Sequence, residues 1–214
     1  MNIIEKYDKS FLYTGVFFNL IIAWRFFMLW YYPEPNQVSQ ISTMAMLMAF
    51  EFIMVHSGVF MAVFPKKWSF IIFFPFYGIF ALAFAASMND WFIIPVAYLI
   101  AVFNRMRFAF ADVPASIKAR NVLYSVIAVL IYFILVFVVA FGVKYVPDGG
   151  LTHSFLSENY YFESLSTGGL FLDVPKTAIC LGFLYYTAMA IVELLLSNYK
   201  KAGAIYIPFS RKTN

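Results

Sequence analysis

The chain has 214 residues, of which 63% are hydrophobic, 21% aromatic and 12% charged, and fifteen Lys+Arg against eleven Asp+Glu leave a net charge of +4. A soluble domain carries about 45–50% apolar and about 25% charged residues, so a water-soluble globular enzyme and a disordered chain are both excluded. An all-α polytopic membrane protein remains.

A spanning helix needs about 20 mostly apolar residues, and six segments qualify. The first covers 11–31 and contains Asn19 and Arg25. Lys6 and Lys9 precede it as in a signal peptide, but the run continues to Tyr32 with no small-x-small cleavage pattern after it, so a retained helix is expected. The second covers 41–64 with Glu51 and His56, and the third covers 68–86 with Pro75. The fourth covers 91–111 with Pro95, and Arg105 and Arg107 snorkel at its end. Only four residues join the third and fourth, which predicts a tight antiparallel pair. Each proline frees a backbone carbonyl and is expected to kink its helix for packing. Residues 104–121, with Asp112, Pro114, Lys118 and Arg120, read as an interfacial segment facing anionic headgroups. The fifth span covers 122–143 and the sixth 176–199, which holds Glu193. Between them residues 144–175 form a long acidic loop, read either as an ordered lid or as an amphipathic stretch on the leaflet.

Basic residues set the orientation. Lys6, Lys9, Lys66, Lys67, Arg105, Arg107, Lys118, Arg120, Lys200, Lys201, Arg211 and Lys212 fall on one side of the six-span topology. Lys144 and Lys176 fall on the other, and Arg25 lies within a span. Both termini are therefore expected in the cytoplasm of a multi-pass cell-membrane protein. The aromatic belt agrees, with Trp30, Tyr31, Tyr32, Trp91 and Tyr145 at outer boundaries and Tyr13, Trp68 and Tyr199 at inner ones. The expected partners are the bilayer and a second copy or another membrane protein. The basic excess is explained by topology, so nucleic acid is not expected.

Ionisable residues at mid-span cost about 2.5–3.5 kcal/mol on insertion scales, so they face the bundle and pair. Four stand out: Arg25, Glu51, His56 and Glu193. At about 1.5 Å of rise per residue, Arg25 lies roughly 21 Å and Glu51 roughly 20 Å from the inner edge. Consecutive helices are usually neighbours, so an Arg25–Glu51 ion pair is expected. His56 at roughly 12 Å and Glu193 at roughly 9 Å are candidate partners if the sixth helix closes on the second. Such pairs either fix helix register or form a proton or ion relay with histidine as the switch.

Met44 and Met48 lie one turn apart on the second span, a spacing that suits a soft metal such as Cu(I), or a packed core. No second Met-rich helix or cysteine pair supports the metal. Cys180 is the lone cysteine, which rules out an intramolecular disulfide and a cysteine zinc cluster. His153 sits in a loop, so a bis-histidine haem is not expected, nor is any other cofactor. P-loop, dinucleotide-turn and H-E-x-x-H patterns are missing, and no catalytic constellation supports an intramembrane enzyme. Ala81 with Ala85, and Ala178 with Gly182, stand four apart and suit close helix packing. The two halves share no matching motif, which weighs against a repeat-built transporter. The expectation is a small transporter or channel-like protein for a small solute, ion or proton. The alternative is a non-transporting accessory or assembly subunit that binds another membrane protein.

Overall fold

A computed structural model describes residues 6–63, 68, 71–72, 74–88, 99, 115–165 and 168–197. Among these residues the chain is all-helical. The elements are α1 (Asp8–Tyr31), α2 (Val38–Val63), α3 (Phe74–Met88), α4 (Ala115–Phe141), α5 (His153–Glu158), α6 (Leu170–Asp173) and α7 (Pro175–Ser197). Helix α1, the Ala119–Phe141 part of α4, and α7 are each long and apolar enough to cross a membrane. The fourth predicted span, with Pro95, Arg105 and Arg107, lies outside the described residues except for Leu99.

The described part of α4 starts at Ala115, so residues 115–121 are helical and continuous with the fifth predicted span, while 104–114 lie outside the described residues. Within α4, Asn121 donates to the Ile117 carbonyl at 2.8 Å, and Arg120 forms an ion pair with Asp8 in the first turn of α1. Pro75 lies in α3, whose described part is Phe74–Met88, and residue 73 before it lies outside the described residues.

Helix α7 is the hub. Half of its most apolar stretch is buried, and it packs along α1 and against α2, α4 and α6. Small residues make this possible, as the Ala178/Gly182 spacing implied. A Cβ on Gly182 would fall 2.3 Å from the Phe26 ring of α1, and Ala178 is fully buried. The core runs through Phe26, Leu29, Ile41, Met48, Tyr132 and Ile179. Helices α1 and α2 are consecutive, yet α7 rather than α2 is the main neighbour of α1.

The segment after α4 folds as a cap over one end of the bundle. Trp30 Nε1 donates to the Pro147 carbonyl at 2.9 Å, and the Gly150 N–H donates to the Trp30 carbonyl at 2.8 Å. Gly149 has φ +60°, and a Cβ there would meet the Trp30 carbonyl oxygen at 2.5 Å, so glycine fits both the turn and the close approach. Thr152 caps α5 by accepting from the Phe155 N–H. Leu151, Leu156 and Tyr161 enter the main core, and the Tyr161 hydroxyl donates to the Leu172 carbonyl at 3.0 Å. Lys176 pairs with Asp148 at 2.6 Å. The segment is thus an ordered cap, and Trp30 is buried beneath it rather than standing at a lipid interface.

Candidate functional site

Two polar layers cross the interior, and both hang from α7 and α4. In the layer nearer the cap, the Tyr185 hydroxyl of α7 donates to Glu51 Oε1 of α2 at 3.1 Å. Tyr132 of α4 donates to the Met48 carbonyl of α2 at 2.5 Å. The two phenol rings meet edge to face with centroids 5.4 Å apart. Tyr132 and Tyr185 are 1% and 2% exposed, so each polar tip sits in an otherwise apolar setting and reaches an acceptor. In the second layer, Asn19 Nδ2 of α1 donates to Glu193 Oε2 of α7 at 3.1 Å and lies 3.5 Å from the Tyr124 hydroxyl of α4. Gly15, one turn from Asn19, leaves room for the carboxylate: a Cβ there would fall 2.2 Å from Glu193 Oε1.

The periodicity explains this arrangement. Tyr185 and Glu193 are eight residues apart on α7, as are Tyr124 and Tyr132 on α4. Eight residues rise about 12 Å and turn about 80° beyond two full turns. The layers are therefore separated by that rise on both helices, and the rotation carries α7 from its α2-facing side to its α1-facing side.

The expected Arg25–Glu51 ion pair does not form. Arg25 donates instead to Gln40 Oε1 near the start of α2, and both side chains are exposed. Counting from the short α1–α2 connection shows why. Arg25 is six residues before Tyr31, about 9 Å down α1, whereas Glu51 is thirteen residues past Val38, about 20 Å down α2. The matched depths rested on inner helix ends placed at Phe11 and Phe64, and α1 begins three residues before the first of these. His56 lies on α2, but its side chain is outside the described residues, and so is its pairing with Glu193. Met44 and Met48 pack into the apolar core, Met48 with no exposure. Among the described residues, no group of three or more His, Cys, Asp or Glu side chains is placed to hold a metal ion.

Tyr124, Tyr185 and Gln40 were not singled out from the sequence, and Asn19 was noted in the first span without a role. A depth count could have flagged Asn19, a polar residue within a span and one turn beyond a glycine. The tyrosines resemble the many other aromatic residues of the spans. A separate apolar groove of about 350 Å3 lies between Met46, Val136 and Leu172, and no titratable side chain lines it. No protein-family model, curated protein or solved structure matches the chain.

Proposed function

We propose that the chain is a six-span protein of a cell membrane, with both termini cytoplasmic and the cap outside, that moves a proton or small cation by way of Glu51, His56 and Glu193. The observation that carries this reading is the pair of intramembrane carboxylates at two depths of one bundle, one hydrogen-bonded to a phenol and the other to an amide. Carboxylates are costly in hydrocarbon, and in pumps and transporters they mark proton and ion paths. His56 follows Glu51 by five residues on the same helix, about 7.5 Å further along it, toward the level of Glu193. Supporting the topology, α1 and α2 are 24 and 26 residues long, and the Asp8–Arg120 pair joins two predicted inner ends.

The test is flux into proteoliposomes that enclose a pH-sensitive dye, under an imposed potential. Wild type is expected to conduct, and Glu51→Gln and Glu193→Gln each remove most of the flux while keeping the fold. Wild-type flux no greater than that of empty vesicles, or flux untouched by both changes, would overturn the reading.

The second reading is an accessory or assembly subunit. It is favoured by Tyr132 and Tyr185, whose buried bonds to α2 tie three helices into a filled interior. In that case no flux appears, the Gln variants lower thermal stability, and the protein is retained on a partner membrane protein in mild detergent.

A further inference from the structure

Arg25 stands apart from both layers. It projects from an exposed position on α1, about 9 Å from the Tyr31 end. Its one hydrogen-bond acceptor among the described residues is the neutral amide oxygen of Gln40, and no carboxylate there pairs with it. A guanidinium carries five donors and a permanent charge. On the flank of a membrane helix such a charge is costly unless an anion meets it. The anion available at that depth is the phosphate of a lipid headgroup, since a long basic side chain reaches from just inside the hydrocarbon to the headgroup level.

The same helix face continues the fit. Ile21 and Phe18 lie four and seven residues before Arg25, on its side of α1 and toward the bilayer centre, and both are exposed. Tyr32, the residue that ends α1, is exposed seven residues after Arg25, where the aromatic belt is expected. From headgroup to midplane the strip therefore reads phenol, guanidinium with its amide, then apolar wall.

We propose that Arg25 and Gln40 form a binding site for the phosphate of an anionic phospholipid, with Ile21 and Phe18 against its acyl chain. Gln40 holds the guanidinium by one N–H and leaves the others for the phosphate oxygens, where paired N–H···O bonds are strong. An anionic lipid is favoured over a zwitterionic one because no amine of its own offsets the phosphate charge. The site rests on α1 crossing the bilayer and not on the transport of any ion.

The test uses the full chain in nanodiscs of zwitterionic lipid containing an increasing fraction of anionic phospholipid, with bound lipid counted by native mass spectrometry. Wild type is expected to retain anionic lipid. Arg25→Gln weakens retention by about tenfold, and Arg25→Lys, which keeps the charge but loses the fork, falls between. Inorganic phosphate does not compete. Equal retention by wild type and Arg25→Gln would overturn the site, and competition by inorganic phosphate would overturn the lipid as its ligand. Alkaline extraction of membranes tests the premise separately. Protein released by alkali sinks the spanning reading, whereas protein that stays in the membrane and binds lipid indifferently to Arg25 sinks the lipid site alone.

Discussion

Glu193 shows how closely a charged side chain is fitted into this bundle. Its carboxylate occupies the space that a Cβ on Gly15 would take, and it accepts from Asn19 one turn further along α1. Adding a methyl at Gly15 therefore pushes the flexible end of Glu193 away from Asn19 rather than moving backbone. Gly15→Ala and Asn19→Ala break the same contact, so each is expected to cost about 1 kcal/mol, and the double variant scarcely more than either single one. Thermal or denaturant unfolding in detergent, run as a double-mutant cycle, checks this, and additive costs would show that the two positions act separately. The depth of such a residue could be read from the sequence, because an apolar run imposes its own ruler. Its partner could not, since that depends on how far each helix is rotated about its axis. Glu193 was recognisable as buried chemistry, whereas Asn19 and Tyr124 became its neighbours only once α7 was seen to lie against both α1 and α4.

At the scale of elements, the bilayer made helix lengths legible and left helix adjacency open. The apolar runs start within three residues of the described starts of α1, α2 and α7. The short connection after α1 suggested that α1 and α2 pack together, yet α7 is the element that fills the space along α1. A connection limits the distance between two helix ends and does not choose which faces meet. The cap was open between two readings because its residues alternate too irregularly to show a buried face. Tyr161 closes it, with its ring fully buried and its hydroxyl on the Leu172 carbonyl. Burial, and then the nearby charge of Asp173, push this phenol well above its ordinary pKa. The native cap thus favours the neutral phenol. That contribution is complete below the ordinary phenol pKa of about 10 and is lost as pH rises beyond it toward the raised native value. Tyr161→Phe is expected to cost about 1 kcal/mol at neutral pH through the lost hydrogen bond, and to flatten the alkaline fall in the thermal midpoint. If wild type and Tyr161→Phe lose stability in parallel above about pH 10, the phenol does not control the cap.

For the whole molecule, the proposed sidedness rests on charge on the loops and on which helix ends meet. Trp30, Pro147, Asp148 and Lys176 gather at the cap, so the end of α1, the segment after α4 and the start of α7 share one side. Asp8 and Arg120 meet at the opposite end. In the proposed topology α2 therefore ends, and α4 starts, on the Asp8–Arg120 side. Cysteine labelling tests this directly, because the single native thiol, Cys180, is buried in α7 and can be replaced by serine. In that background Tyr160→Cys, on an exposed turn of the cap, is expected to react with a membrane-impermeant maleimide in intact cells. Lys9→Cys and Thr213→Cys should react only after the membrane is opened. Labelling of position 213 from outside would mean an odd number of crossings and would remove the six-span topology. Labelling of position 9 from outside together with protection of position 160 would invert the molecule, against the preference of short basic loops for the cytoplasm. Inversion would leave the two polar layers intact and reverse their order, so that an ion entering from the cell would meet Glu51 before Glu193.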